Sequence, residues 1–115
     1  MCKELKSVGD ISYWDVSNVA NMNAMFFGCE SFNQDISDWD VSNVTSMGNM
    51  FWKCKNFNQD ISGWDVSNVA NMSFMFDSCE SFNQDISDWD VSNVKFKVNA
   101  FKYCPIKEEY KPKFK

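Results

Sequence analysis

The chain has 115 residues, of which 44% are hydrophobic and 17% aromatic, and this composition can build one hydrophobic core and argues against disorder. No apolar run approaches the roughly 20 residues of a membrane helix, and the opening MCKELKSVGD lacks the basic-then-apolar pattern of a signal peptide. We therefore expect no membrane insertion, and the net charge of −5, without arginine or histidine, is poorly suited to a phosphate backbone, so we expect no nucleic-acid binding.

The chain repeats itself with a period of 25 residues. Copies of the pattern WDVSNV start at Trp14, Trp39, Trp64 and Trp89, and residues 14–38 and 64–88 are identical at 21 of 25 positions. Such a period predicts a stacked array, because one unit cannot bury its apolar face without a neighbour. We therefore divide the chain into a cap and partial repeat at 1–13, solenoid repeats at 14–94 (14–38, 39–63, 64–88 and the start of a fourth at 89), and a divergent last repeat with C-terminal cap at 95–115.

The apolar spacing changes within each unit. Trp14 and Val16 alternate with a polar residue, as in a short strand, whereas steps of three from Val19 to Cys29 are typical of one face of a short helix. Strands stacked in register would form a parallel sheet. The sequence therefore predicts an α/β repeat solenoid, a right-handed coil with a short parallel β-sheet on one wall and short helices on the other.

The recurring run V-x-x-M-x-x-M-F-x-x-C-x-x-F-N-Q-D-I-S-x-W-D-V-S-N covers residues 10–104 and resembles the BspA-like leucine-rich repeats. The similar variant, with 25 residues per repeat, occurs in mycoplasma lipoproteins and other bacterial surface proteins. The resemblance implies a leucine-rich-repeat-like solenoid and a role in adhesion or protein binding. Cell-surface members carry an export signal or a lipid-attachment cysteine, and Cys2 has no apolar segment before it. The closing CPIKEEYKPKF is similar to the ends of such arrays in large viruses of algae and amoebae.

The cysteines Cys29, Cys54, Cys79 and Cys104 fall one per unit on the apolar face. Thiols spaced along a line cannot surround a zinc ion tetrahedrally, and parallel Cβ vectors give poor disulfide geometry. We therefore expect buried, unreactive thiols, an exposed Cys2, no metal site and no cofactor. Reduced cysteines favour an intracellular location, whereas the family resemblance favours the cell surface, so the sequence leaves localisation open.

Aspartates recur at two positions of the unit. The first column contains Asp15, Asp40, Asp65 and Asp90, and the second contains Asp35, Asp60 and Asp85. Stacked carboxylates about 4.8 Å apart repel one another, so each needs compensating partners. Amides of turns are one possibility, and a row of calcium ions bound by the first column is the alternative.

Catalysis is not expected from these aspartates. Because the stacked units are related by a simple shift along the array, each carboxylate in a column has nearly the same surroundings. Acid–base catalysis instead needs two groups whose different surroundings push their pKa values apart. The chain also has no histidine and no glycine-rich phosphate loop. We therefore predict a protein that is not an enzyme.

Large aromatic residues that the core pattern does not require occur at Phe27, Trp52 and Phe74, with Lys53 and Lys55 nearby. Aromatic side chains on the outer helical wall would suit binding, although packing against neighbouring helices would also explain them. We predict a non-catalytic scaffold for protein–protein interaction or adhesion, with another protein bound on this wall.

Two alternatives remain for the function. The first is a carbohydrate- or divalent-cation-binding surface on the Asp, Ser and Asn columns. The second is a structural spacer or self-assembling module, because residues 1–94 hold 4 lysines against 14 acidic groups and residues 95–115 hold 7 against 2. We expect a monomer, for which head-to-tail association through these opposite charges is possible.

Overall fold

The computed structural model describes residues 10–114, and regular secondary structure is nearly absent from them. This part of the chain contains one 3-10 helix, Glu108–Tyr110. Parallel pairing is limited to isolated bridges that join Asn21 to Ser46, Ser46 to Asn71, and Asn71 to Phe96. The predicted α/β solenoid, leucine-rich-repeat-like with a sheet on one wall and helices on the other, is therefore wrong.

Each unit is a series of tight turns in which an N–H donates to the carbonyl three residues earlier. In the first unit such bonds join Val19 to Val16 at 3.0 Å, Met25 to Met22 at 3.3 Å, and Cys29 to Phe26 at 2.9 Å. An α-helix would instead bond each N–H to the carbonyl four residues earlier. The apolar steps of three therefore reflect successive turns and not the face of a helix.

Left-handed backbone at two positions of every unit explains why the predicted helices do not form. In the first unit these are Ala24 and Gly28, with φ of 59° and 73°. The equivalent residues of the later units, also at positive φ, are Asn49, Lys53, Phe74, Ser78, Asn99 and Tyr103. Each is the third residue of a turn, where a type II turn requires positive φ, and such a residue interrupts a right-handed helix.

Neighbouring units are joined by backbone hydrogen bonds in the 25-residue register. At every junction four alternate N–H groups donate to carbonyls of the next unit, at 2.7–2.9 Å. At the first junction the donors are Met22, Ala24, Phe26 and Gly28, and the acceptors are Ser46, Gly48, Met50 and Trp52. Several intervening N–H groups bond within their own unit, so adjacent units pair like strands at only one residue and no sheet forms.

The core consists of columns of identical side chains. Phe32, Phe57 and Phe82 stack with centroids 5.6 and 5.8 Å apart. The indole N–H groups of Trp39, Trp64 and Trp89 donate to isoleucine carbonyls 28 residues earlier in the chain, at 3.0–3.1 Å; the acceptors are Ile11, Ile36 and Ile61. The indole columns therefore add both apolar burial and hydrogen bonds to each junction.

The last described residues close the stack. The N–H of Ile86 donates to the carbonyl of Tyr110 at 3.0 Å, the N–H of Lys107 donates to Asn83 Oδ1 at 2.9 Å, and Ile106 and Pro112 are buried. The radius of gyration is 12.9 Å, close to the ~13 Å of a compact domain of about 100 residues. No helix within 10–114 is long and apolar enough to cross a membrane. Most of the predicted N-terminal cap, at 1–13, lies outside the described residues.

Candidate functional site

The three aromatic side chains singled out in the sequence form a continuous stack, which we call the aromatic row. The ring centroids of Phe27 and Trp52 are 5.0 Å apart with planes 6° from parallel, and those of Trp52 and Phe74 are 5.4 Å apart at 22°. Phe27 is 40% exposed and the other two are half-buried. The row lies on the surface of stacked turns, since the predicted helical wall does not exist.

The row combines two different positions of the repeat. Phe27 and Trp52 are equivalent residues of successive units, so the register stacks them. The equivalent residue of the third unit is Asp77, which is only 5% exposed and accepts a hydrogen bond from Ser78 Oγ at 2.8 Å. Phe74, three residues earlier in the chain, supplies the third ring instead. The 25-residue register therefore explains the contact between Phe27 and Trp52 but not the contact between Trp52 and Phe74.

The backbone conformation at Phe74 is unfavourable for a residue with a bulky side chain. Its φ is 60°, in the left-handed region, where a residue with a Cβ costs about 1–2 kcal/mol and a bulky residue is an outlier. The equivalent residues Asn49 and Asn99 are of a type that tolerates this conformation. The third ring is therefore held in a conformation that disfavours it, which is a feature associated with functional positions.

The two lysines near the row differ in their contacts. Lys53 is exposed, and its Nζ lies 5.8 Å from the centroid of the Trp52 ring, within the range of a cation–π contact. Lys55 is also exposed, and no ion pair joins it to any residue between 10 and 114. The row therefore carries positive charge beside an apolar, planar surface.

The aspartates of both columns accept hydrogen bonds within turns. Asp15 Oδ1 accepts from the N–H of Ser17 at 3.0 Å and from its Oγ at 2.6 Å, and Asp40 and Ser42 repeat this geometry. The serine two residues later donates in the same way to Asp35, Asp65, Asp85 and Asp90 through both groups, and to Asp60 through its N–H. The expectation that turn amides compensate these carboxylates is confirmed.

These hydrogen bonds also affect the protonation of the carboxyls. The serine hydroxyl first, and the serine N–H second, hold the pKa of Asp15, Asp40 and Asp65 below the ordinary value, and the pKa of Asp35 and Asp85 is lowered in the same way. Within the described range, no three Cys, Asp or Glu side chains are placed to hold a metal ion together. The charged carboxylates of these columns therefore accept hydrogen bonds from serines of the same turn.

The asparagine columns connect neighbouring units. The side-chain amide of Asn43 donates to the carbonyl of Ser17 at 2.8 Å, and that of Asn68 donates to Ser42 at the same distance. Asn33 Oδ1 accepts from the N–H of Asn58 at 2.9 Å. Much of the hydrogen-bonding capacity of these columns is therefore used inside the stack, although the groups are exposed.

The cysteine column contains both thiols and a disulfide-bonded residue. Cys54, Cys79 and Cys104 are free, and the Sγ atoms of the first two donate to the carbonyls of Phe26 and Phe51 at 2.9 Å. Burial raises the pKa of the Cys54 thiol to about 12 and that of Cys104 to about 11, and it raises the pKa of Cys79 further still.

Buried and unreactive thiols were expected at all four positions. Cys29 is buried but disulfide-bonded, so the expectation of a thiol is wrong there, and Cys104 is only half-buried. The apolar spacing of the column gave no signal for that bond. The predicted exposure of Cys2 concerns a residue outside the described range.

Residues 1–111 match the family described as "Mycoplasma protein of unknown function, DUF285". No curated protein and no solved structure matches the chain.

Proposed function

We propose, from the premise that this chain belongs to the DUF285 family, that it is a non-catalytic repeat scaffold that binds another protein through the aromatic row. The observation that carries the proposal is the alignment of Phe27, Trp52 and Phe74, which come from three units and present stacked rings at the surface. Rigid aromatic side chains lose little conformational entropy when a partner covers them, and they dominate the energy of many interfaces.

The position of Phe74 supports recognition over a purely structural role. The turn itself does not require an aromatic residue, because the other units have Ala24, Asn49 and Asn99 at this position. An aromatic residue in a left-handed conformation instead extends the row by one ring, at a cost in folding energy. Lys53 over the Trp52 ring adds a positive charge at the rim, which would favour a partner with acidic residues around an apolar centre.

A role in adhesion is supported by the resemblance of the repeats to BspA-like surface proteins and by the relation of DUF285 to surface repeat proteins. The alternative of carbohydrate or cation binding on the polar columns has less support, because their aspartates and asparagines hydrogen-bond within the stack. Binding through the aromatic row also needs no rearrangement of the turns.

The experiment is a binding screen on protein and glycan arrays, in which the parent is compared with a Phe27→Ser, Trp52→Ser, Phe74→Asn variant. The matched control is Tyr13→Ser, Phe96→Ser, Val98→Ser. It removes three other exposed apolar side chains, which are 78%, 61% and 57% exposed. Circular dichroism and thermal unfolding must show that both variants keep the parent fold.

We expect a protein ligand that binds the parent and the control but not the row variant. A protein ligand that binds all three equally would refute the aromatic row as the binding surface. A glycan that binds all three would favour the polar columns, and concentration-dependent self-association as the sole interaction would favour an assembly module.

A further inference from the structure

A cleft of about 710 Å³ lies at the C-terminal end of the stack, between the last repeat unit and the closing segment. The lining includes four lysines, Lys97, Lys102, Lys111 and Lys113. Phe101 and Phe114 provide apolar surface, with ring centroids 6.4 Å apart. The cleft therefore combines apolar surface with positive charge, and it shares no residue with the aromatic row.

The backbone beside this cleft ends a series of inter-unit hydrogen bonds. In the third unit, four N–H groups donate to carbonyls of the fourth unit, and the donors are Met72, Phe74, Phe76 and Ser78. The equivalent residues of the fourth unit are Lys97, Asn99, Phe101 and Tyr103. Among residues 10–114 no acceptor bonds to the N–H groups of these four.

The fourth unit keeps the backbone conformation of the third. Asn99 and Tyr103 have φ of 52° and 58°, compared with 60° and 63° at Phe74 and Ser78. The turn bond from the N–H of Ala100 to the carbonyl of Lys97 is likewise retained, at 3.2 Å. By this register the four N–H groups point away from the third unit, out of the end of the stack, in the arrangement that binds alternate carbonyls of the following unit at the earlier junctions.

The lysines of the cleft are held by aromatic and acidic neighbours. Lys97 Nζ lies 5.8 Å from the centroid of Phe114, and Lys111 Nζ lies 5.7 Å from that of Phe101. Lys111 also pairs with Glu108 Oε1 at 3.1 Å. Four lysines against the two carboxylates Glu108 and Glu109 leave the lining with an excess of positive charge. Backbone donors and ammonium groups together are the chemistry that receives anionic groups.

We propose that this cleft binds an acidic peptide segment of a partner protein. Carbonyls of the segment accept hydrogen bonds from the open N–H groups, as carbonyls of the following unit do at the earlier junctions. Its carboxylates meet Lys97, Lys102 and Lys113, and an apolar residue between them packs against Phe101 or Phe114. Lysines at an open edge repel basic segments and disfavour neutral ones, so the same residues that protect the edge select an acidic occupant.

The test measures fluorescence polarisation of a labelled octapeptide of alternating glutamate and valine, with the full chain as titrant. We expect saturable binding that weakens as salt rises, and no binding of the lysine–valine octapeptide. A Lys97→Glu, Lys102→Glu, Lys113→Glu variant should lose at least tenfold in affinity. The control Lys6→Glu, Lys95→Glu, Lys107→Glu has the same net charge and changes neither the described cleft lining nor the aromatic row, so it should bind within about threefold of the parent.

Further measurements separate backbone pairing from general attraction of anions. Saturating peptide should slow hydrogen exchange at the amides of Lys97, Asn99, Phe101 and Tyr103, and circular dichroism must show that both variants fold. No binding, equal affinity for inorganic polyphosphate of the same charge, or equal losses in both triple variants would overturn the proposal. Sedimentation that shows self-association abolished by the cleft variant would also overturn it, since the occupant would then be a second copy of the chain.

Discussion

Replacing Phe74 with asparagine tests whether the backbone at this position opposes the aromatic ring. Phe74 has a φ of 60°, and the equivalent residues Asn49 and Asn99 have φ of 59° and 52°. Asparagine adopts the left-handed region more readily than other residues with a Cβ, and it does so at Asn49 even though its Oδ1 is buried without a hydrogen-bond partner. The substitution therefore removes the ring and places at this turn the residue found in the second and fourth units.

The expected effect on stability is a balance of opposing contributions. Loss of the stack on Trp52, with centroids 5.4 Å apart, costs about 1 kcal/mol, and loss of the half-buried apolar surface of Phe74 costs about 1 kcal/mol more. Release of left-handed strain returns about 1–2 kcal/mol. Phe74→Asn should therefore stay within about 1 kcal/mol of the parent, while Phe74→Ala, which loses the ring and gains no polar side chain that favours positive φ, should be about 2 kcal/mol less stable.

Urea denaturation and calorimetry measure the difference between the two variants, which we expect to be at least about 1 kcal/mol, or about 4 °C in Tm. The same pair of substitutions at Phe27, which is not at positive φ, should show no such advantage of asparagine. Equal stabilities of Phe74→Asn and Phe74→Ala would refute the argument that the ring is held against backbone strain. It would also remove one reason for assigning the aromatic row a role in recognition.

Three further predictions concern the turns and the core. Gly48→Ala should lower the free energy of unfolding, measured by urea denaturation, by about 1 kcal/mol, because the new Cβ would lie 2.9 Å from Asn71 Nδ2. Gly63→Ala, whose Cβ would have no atom within 4 Å, should leave the stability unchanged or raise it slightly. Equal effects of the two substitutions would contradict this reasoning. Cys54, buried and with its pKa raised to about 12, should react with Ellman's reagent at pH 8 only after unfolding, and rapid reaction in the native state would show that the column opens readily. Because hydrogen bonds lower the folded-state pKa of Asp65, its contribution to stability should be present above the unfolded pKa of about 3.9 and be lost as the pH falls through the lower folded value. The Tm difference between the parent and Asp65→Asn should therefore shrink in acid, and a difference that grows below pH 4 would contradict the assignment.

Side-chain columns could be predicted from the sequence because they depend only on the repeat period. Once units of 25 residues stack in register, equivalent rings such as Phe27 and Trp52 must lie near each other, whatever conformation the backbone adopts within a unit. The stacked phenylalanines and indoles of the core follow from the same register. Hydrogen bonds between aspartates and nearby turn amides were one of two possibilities, suggested by the small number of glycines and prolines in the repeats.

Backbone conformation could not be predicted in this way, because an apolar step of three residues is common to a helix and to successive turns. The distinguishing feature is positive φ at two positions per unit, yet glycine occupies only one of the eight, at Gly28. At the equivalent positions 24, 49, 74 and 99, Asn49 and Asn99 are of a residue type that often has positive φ, whereas Ala24 and Phe74 are not. The apolar spacing alone favoured a helix, whereas these two asparagines favour turns.

The direction of the inter-unit hydrogen bonds gives the stack an electrical polarity. Four N–H groups at each junction point toward the C-terminal end, while fewer backbone bonds run the opposite way: one at the first junction, from Thr45 to the carbonyl of Ala20, one at the second and two at the third. Each peptide carries a dipole of about 3.5 D, and dipoles aligned along an axis add to a partial positive charge at the end where the N–H groups are exposed. That end is the one beside Lys97 and Lys102, so the backbone adds to the positive potential of its lysines. Because every junction contributes in the same sense, a chain lengthened by whole 25-residue units would keep the same sign of charge at the same end.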